Sequence, residues 1–274
     1  MIATLTRATK RLSRSGLELE PCGESLWEFR RSGELEVVAQ IGFADFKSQG
    51  PSASLVISKS QQGSMAWVAE GIRILLDYAF DEYKLGKVTA RASVEQLSLL
   101  AALEDFGFVE KSRSNEGKNI RLVADRWDYI RALAETEMLE RLEDRQWSFG
   151  FDNGRRRAGL CSYNDKKITI SKYLALVHSI DDVMQTVLHE IAHALCGPKE
   201  GHSKKWLATA KKIGYRNDKY TGQEIAAAYA PYKGLCPNGH EHFRYRKPSR
   251  LYSCQHCSSG YNSKYMIDWS ARAA

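Results

Sequence analysis

Several features are scarce or absent in this chain of 274 residues. No apolar run approaches the roughly 18 residues that a membrane span needs, so we expect no membrane-spanning segment. The six cysteines lack the dense pattern of a secreted disulfide scaffold, and residues 1–16 lack the apolar block of a secretory signal. No segment rich in glycine, serine or proline separates the two halves of the chain. We therefore predict a cytoplasmic protein whose domains are joined semi-rigidly.

Histidine and charge are distributed unevenly along the chain. All seven histidines lie at or after His178. Residues 1–136 contain 18 Lys and Arg against 19 Asp and Glu, a net charge of −1, whereas residues 137–274 contain 22 against 14, a net charge of +8. A basic excess confined to one half favours a polyanionic partner for that half, such as nucleic acid.

The most informative segment is His189-Glu190-Ile191-Ala192-His193. The apolar pattern around it, over 183–195, predicts a largely buried helix. Four residues advance about 400° around a helix, so both imidazoles lie on one face and can bind one tetrahedral metal ion. Glu190 stands where a zincin has the carboxylate that takes a proton from metal-activated water. The alternative is a pair of core histidines beside a surface glutamate.

A third metal ligand follows at a suitable distance. Gly197 and Pro198 predict the end of the helix, and a short turn then directs His202 back towards the metal. Ser203 is expected to cap a further helix over 204–213. Three protein ligands leave the fourth position open, as a catalytic zinc requires. Glu224 is the alternative third ligand.

These motifs resemble the SprT family of zinc metallopeptidases, which includes the Spartan-type DNA–protein crosslink proteases. The resemblance covers about residues 138–272 and rests on 187–195 and 201–206, with upstream segments 147–153, 157–161 and 168–171 matching the strands that precede the active-site helix. Ser203 departs from the second glycine that the family often has. The resemblance implies that His189, His193 and His202 bind a catalytic zinc and that Glu190 is the catalytic base. It also implies protein substrates that are bound or crosslinked to single-stranded or damaged DNA.

A second metal motif lies near the end of the chain. A zinc ribbon with a closed structural site is predicted by two ligand pairs, Cys236 with His240 and Cys254 with Cys257, which thirteen residues separate. His242 and His256 compete with His240 as the fourth ligand. The alternative is an exposed redox-active Cys-x-x-Cys turn.

Basic and aromatic residues alternate between the two halves of this motif: Arg244, Tyr245, Arg246, Lys247, Arg250 and Tyr252. Such a surface can follow a phosphate backbone and stack unpaired bases, so we predict that these six residues bind nucleic acid. The alternative is a solvated basic face.

The first half has a different pattern. It predicts strands over 26–29, 35–43, 54–58, 87–92 and 119–122, and helices over 69–80 and 94–105. This order, with 71–80 and Gly107-Phe108, resembles the GNAT N-acetyltransferase fold over about residues 20–124. In that family a loop corresponding to 61–66 binds the coenzyme A pyrophosphate. Here Ser64 replaces its first glycine and Gln96 an expected asparagine, so acetyl-CoA is an uncertain ligand and a degenerate docking or positioning domain is favoured.

The predicted fold class is α+β in four segments: a GNAT-like domain over 1–124, a connecting helix over 125–146, a SprT-like zincin core over 147–232 and a zinc ribbon over 233–274. The predicted function is a zinc-dependent metalloendopeptidase acting on DNA-associated proteins, with one catalytic and one structural zinc. The first alternative is a GNAT-type acetyltransferase that uses acetyl-CoA, with the C-terminal half binding nucleic acid or other targets. The second is a non-enzymatic DNA-binding adaptor.

Overall fold

The computed structural model describes residues 12–14, 17–22, 25–31, 37–47, 52–59, 64–155, 157–216 and 230–272. The chain forms two compact units, one of residues 1–141 with 179–184 and the other of residues 142–178 with 185–274. Helices and strands are mixed in both units, which confirms the predicted α+β class. No helix in the described ranges is long and apolar enough to cross a bilayer.

The first unit is built on an eight-stranded sheet. In chain order its strands are β1 (Leu12–Arg14), β2 (Leu17–Pro21), β3 (Leu26–Arg31), β4 (Val37–Lys47), β5 (Ser52–Lys59), β6 (Lys87–Ser93), β7 (Val109–Ser114) and β8 (Asn119–Asp125). Their order across the sheet is β1-β2-β3-β4-β5-β6-β8-β7. Only β5 and β6 are parallel neighbours, and they pair over just Ser52–Ser54 and Lys87–Thr89. Residues 35 and 36 of the strand predicted over 35–43 lie outside the described residues.

Three helices pack with this sheet: α1 (Met65–Asp81), α2 (Leu97–Asp105) and α3 (Arg126–Arg141). Helix α1 approaches the sheet closely at Gly71, where a Cβ would lie 2.9 Å from the Ile41 side chain. Helix α2 begins three residues later than predicted, because the Gln96 side chain accepts the Ser93 amide in a turn. The connecting helix ends at Arg141 rather than at 146.

The second unit begins with a three-stranded sheet of β9 (Ser148–Asp152), β10 (Gly159–Ser162) and β11 (Lys167–Ser171). The order is β10-β11-β9, so β10 is an edge strand. Three helices follow: α4 (Lys172–Val177), α5 (Ile180–Cys196) and α6 (Lys204–Lys212). Leu188, Ala192, Trp206, Ala210 and Tyr215 form a core cluster that joins α5 to α6.

A small sheet completes this unit. It contains β12 (Tyr232–Leu235), β13 (Glu241–Arg244) and β14 (Asp268–Ala271) in the antiparallel order β13-β12-β14. Among the described residues, its core consists of Cys236, Cys254 and Ile267 with a few half-buried aromatic residues around them. So small a core is typical of a domain that a metal ion stabilises.

Candidate metal sites

Three histidine side chains converge on one point. His189 and His193 lie on α5, and His202 lies in the turn before α6. Their Nε2 atoms are 3.2 Å apart for His189 and His193, 3.2 Å for His193 and His202, and 3.0 Å for His202 and His189. Nitrogen ligands at about 2.0–2.1 Å from a tetrahedral zinc ion lie about 3.3 Å from one another. The three imidazoles therefore fit a zinc ion.

The protonation of the two helical histidines suits the same role. Burial and, secondly, the neighbouring imidazoles lower the pKa of His189 and of His193 to about 4. Both rings are therefore neutral at neutral pH. A metal requires this form, because it binds to the free nitrogen lone pair.

Local backbone signals bring His202 to the other two histidines. Gly197 ends α5 with φ of 86°, and its amide donates to the carbonyl oxygen of His193 at 2.9 Å. Ser203 then caps α6, because its Oγ accepts the amide of Trp206 at 3.2 Å. The chain therefore reverses over a few residues between two capped helices.

The aromatic rings of Trp206 and Tyr215 pack around the imidazoles. The ring of Trp206, which is 4% exposed, has its centroid 4.6 Å from that of His189, 5.1 Å from His193 and 4.7 Å from His202. Tyr215 packs 5.4 Å from His189 and 5.8 Å from Trp206. Close packing on several sides restricts the rotamers of candidate ligands and holds them ready for a metal.

Glu190 is a buried carboxyl beside the histidines. Burial raises its pKa to about 7, although the backbone amide of Cys161 and the charge of Arg157 oppose that rise. Asp152 fixes Arg157, since its carboxylate accepts from the guanidinium at 2.9 Å. A carboxyl group with a pKa near 7 can both accept and return a proton at neutral pH.

The histidines and Glu190 open onto a cavity of about 800 Å³. Its walls come from residues 157–163 before and along β10, from α5, from the segment 198–207 and from Tyr215. This volume lies within the range of about 300–1,000 Å³ that is usual for ligand sites. The site is therefore concave and accessible on one side of α5.

The second metal motif is also assembled. The Sγ atoms of Cys236 and Cys257 are 3.8 Å apart, and His240 Nδ1 lies 3.5 Å from Cys236 Sγ, 3.2 Å from Cys257 Sγ and 3.7 Å from Cys254 Sγ. A tetrahedral zinc ion places two sulfur ligands about 3.8 Å apart and a nitrogen and a sulfur about 3.5 Å apart. These four groups therefore fit a closed zinc site.

The alternative histidines occupy other positions. His242 lies 6.5 Å from Trp269 between ring centroids, and its buried Nε2 has no hydrogen-bond partner among the described residues. His256 is exposed and stacks near His240 at 5.3 Å.

Burial acts to raise the pKa of Cys236, but the amides of His240 and Asn238 lower it to about 6. A lowered pKa favours the thiolate that binds zinc.

Three of the predicted nucleic-acid residues form one cluster on the ribbon. The Arg244 guanidinium lies 3.8 Å from the centroid of the Tyr252 ring and 5.6 Å from that of Trp269. Arg250 lies 5.3 Å from the same Tyr252 centroid and donates Nε–H to the tyrosine hydroxyl at 3.3 Å. Lys247, Arg250 and Trp269 also line a second cavity of about 640 Å³.

The remaining two predicted residues have different surroundings. Arg246 is exposed. Burial raises the pKa of Tyr245, whose electrostatic neighbours are Arg155 and Tyr173. Its buried hydroxyl has no hydrogen-bond partner within the described ranges. The hydroxyl end of Tyr245 is therefore buried, close enough to Arg155 and Tyr173 for their charges to act on it.

The structure adds site residues that sequence reasoning did not single out. Tyr163 donates its hydroxyl hydrogen to the carbonyl oxygen of His193 at 2.8 Å, and Tyr215 and Arg157 line the metal cavity. Trp269 joins the ribbon cluster. Arg157 lies in the segment 157–161 that resembles the SprT family and Tyr163 lies two residues after it, whereas no local signal marked Tyr215 or Trp269.

Two alternatives lie wholly or partly outside the described residues. Glu224, the other candidate third ligand, is one of them. Of the predicted coenzyme A loop, residues 61–63 lie outside, whereas Ser64 is the N-cap of α1 and makes no side-chain cap hydrogen bond.

Comparison with known proteins supports the motif assignment. Residues 129–227 match the model of the SprT-like family, which confirms the resemblance predicted from the sequence. The match includes all three candidate histidines and Glu190. No curated protein matches the chain.

Solved structures similar to this chain are acetyltransferases. One is a GNAT-family acetyltransferase from Bacillus anthracis, with 11% identity, coverage of 42% of this chain and 98% of that chain, and a TM-score of 0.37. Another is an acetyltransferase from Sphaerobacter thermophilus, with 16% identity, 43% and 98% coverage and a TM-score of 0.36. A spermidine N-acetyltransferase variant from Vibrio cholerae has 16% identity, 42% and 68% coverage and a TM-score of 0.35.

Proposed function

We propose that this protein is a zinc-dependent metalloendopeptidase of SprT type that cleaves proteins bound or crosslinked to DNA. The observation that carries the proposal is the convergence of three imidazole nitrogens within 3.2 Å of one another. They stand beside a buried carboxyl, in a segment that matches the SprT-like family. A pure binding module has no use for this combination of an open metal site and a proton acceptor.

Each group at the site has a distinct role in this proposal. His189, His193 and His202, which line the cavity, would hold the ion. When bound, zinc supplies Lewis-acid activation of water and of the peptide carbonyl. Glu190 accepts the proton of the attacking water and passes it to the leaving amine. Trp206 keeps the imidazoles in place.

The ribbon provides the DNA-binding surface. Cys236, His240, Cys254 and Cys257 hold a structural zinc, which fixes the surface that carries Arg244, Arg250 and Tyr252. Arg246 and Lys247 add positive charge, and the net charge of residues 137–274 is +8. Guanidinium groups over aromatic rings offer phosphate contacts and stacking surfaces, which suits unpaired DNA without sequence preference.

The proposal is tested with the purified full chain and a DNA-binding protein as substrate. We expect cleavage that a zinc chelator abolishes, that added zinc restores and that single-stranded DNA increases. The same protein without metal serves as the control. Cleavage that persists after complete zinc removal would contradict the metallopeptidase assignment. Metal-dependent cleavage whose rate does not change when DNA is added would contradict only the proposal that the substrates are DNA-bound proteins.

A second candidate, acetyl transfer from acetyl-CoA, is favoured by one observation. The parallel strands β5 and β6 pair over three residues only, at the start of each strand, and are not paired beyond them. Ser64 and Gln96 weigh against it, because the first glycine and the asparagine of the family pattern are missing. Titration of the full chain with acetyl-CoA to millimolar concentration decides: absence of saturable binding removes this candidate.

A further inference from the structure

The helix that carries the metal motif begins in the first unit. Residues 179–184 group with residues 1–141, whereas residues from Gln185 onward group with the second unit. The amide of Ile180, the first residue of α5, donates to both carboxylate oxygens of Asp81, at 3.1 Å to Oδ1 and 2.8 Å to Oδ2. Asp81 is the last residue of α1, 99 positions earlier in the chain. The start of the active-site helix is therefore bound by a remote carboxylate.

This carboxylate is itself fixed. Arg126, the first residue of α3, places Nη1 3.0 Å from Asp81 Oδ1 and donates from the same nitrogen to the carbonyl oxygen of Phe80 at 2.9 Å. The side chains of Arg126 and Asp81 are 11% and 19% exposed. Ile180 is 2% exposed. The ends of three helices thus meet at one mostly buried ion pair.

The electrostatics indicate which helix benefits from Asp81. A carboxylate at the C-terminal end of α1 is unfavourable to that helix, because the helix dipole is negative there. At the N-terminal end of α5 the same carboxylate meets an unpaired amide and the positive end of a dipole. Ser179 already caps α5 locally, since its Oγ accepts the Asp182 amide at 3.1 Å. Asp81 therefore adds a second attachment to the start of α5. Its charge destabilises the end of α1, and the ion pair with Arg126 offsets this destabilisation.

We propose that Asp81 is a positioning residue for the three-histidine site and acts through the first turn of α5. His189 lies nine residues beyond Ile180, about 14 Å along the helix axis. Fixing the helix at its start holds the axis on which His189 and His193 are carried. The inference rests on the proposed function only in taking these histidines as metal ligands.

The test compares Asp81→Ala and Asp81→Asn with Asp77→Ala in the full chain. Asp77 is a matched control one turn earlier on α1, where it accepts a hydrogen bond from Tyr129 of α3 at 2.8 Å. The first readout is amide hydrogen exchange over 180–196. The second is the cobalt(II) affinity of the three-histidine site. Cobalt bound there lacks the sulfur charge-transfer band that cobalt bound in the ribbon site shows. Neither readout requires proteolysis.

We expect Asp81→Ala to speed exchange in the first turn of α5 at least tenfold and to weaken cobalt binding by the histidines about tenfold. Asp81→Asn, which keeps an oxygen acceptor, should recover part of both losses. Asp77→Ala should lower the unfolding midpoint without changing either readout.

Wild-type exchange and cobalt affinity in Asp81→Ala would overturn the inference, and so would equal effects in Asp77→Ala. If Asp81→Ala does not fold, wild-type values in Asp81→Asn overturn it. Changes in both readouts in a protein without proteolytic activity would refute the proposed function and leave this inference standing.

Discussion

Gly159 lies directly against the carboxyl group of Glu190. A Cβ on Gly159 would be 2.8 Å from Oε1 and 2.9 Å from Cγ of that side chain. Gly159 is the first residue of the edge strand β10, and the amide of Cys161, two residues on, hydrogen-bonds to Glu190. The edge strand therefore makes room for the proposed catalytic base and fixes its position.

Gly159→Ala should consequently impair catalysis without removing the metal. The added methyl group must displace the Glu190 carboxyl, and a shift of about 1 Å at a catalytic group can lower the rate about 100-fold. The measurement is kcat on an unfolded protein substrate together with zinc content. Gly150→Ala is the control, because its Cβ would closely approach the flexible Lys167 side chain, at 3.0 Å, and would make an ordinary contact with Thr169 Cγ2, at 3.8 Å. Equal rates for the two variants would show that Gly159 does not position the base.

The sequence predicted the convergence of the three histidines well because its signals are local. The four-residue spacing of His189 and His193 depends only on helix geometry. Gly197 and Ser203 end and begin helices through hydrogen bonds to near neighbours, and the turn between them carries His202. The structure places all of these as expected.

Contacts between distant parts of the chain could not be predicted in the same way. The bond from Ile180 to Asp81 joins residues that no periodicity or motif relates. Tyr215 reaches His189 only after α6 has packed on α5. The burial of the Tyr245 hydroxyl, which Arg155 and Tyr173 influence electrostatically, was likewise not evident from its alternation with arginines. Such features depend on tertiary packing, which a local pattern does not encode.

Glu190 should make the metal-free protein less stable as the pH rises from about 4.5 through 7. Its pKa rises on folding from an ordinary 4.5 to about 7, so the folded state favours the neutral carboxyl. This contribution to stability is fully present below pH 4.5 and is lost as the pH rises through 7. Glu190→Gln does not titrate, so its stability relative to wild type should increase by up to about 3 kcal/mol between pH 4 and pH 8.5. Denaturant unfolding of both metal-free proteins measures this difference, and a difference independent of pH would contradict the burial of Glu190.

The identity of the fourth ribbon ligand is tested by three histidine substitutions. His240→Ala should lose the ribbon zinc or bind it at least tenfold more weakly, because only His240 places a nitrogen among the three sulfurs. His242→Ala and His256→Ala are the controls and should retain it. Cobalt(II) absorption in the sulfur charge-transfer region reports on this site alone. Loss of that band in either control, with His240→Ala unchanged, would reassign the ligand.

The proposed DNA surface makes a prediction about salt. Replacing Arg244, Arg246, Lys247 and Arg250 together with Ala removes up to four phosphate contacts, which should flatten the log–log salt dependence of single-stranded DNA binding by roughly three units. Zinc content should stay the same, because none of the four is a zinc ligand. Cleavage of a small unfolded substrate should persist while stimulation by DNA falls. Original affinity and salt slope in this variant would show that the ribbon does not bind DNA.

The most direct measurement of the central claim is proteolysis by Glu190→Gln. The substitution keeps the size of the side chain and leaves His189, His193 and His202 intact, so zinc content should equal that of wild type. Without a proton acceptor, cleavage should fall by about 100-fold to 10,000-fold, the usual contribution of general acid–base catalysis. Zinc-loaded Glu190→Gln that cleaves protein substrates at the wild-type rate would contradict the assignment of this site as a metallopeptidase centre.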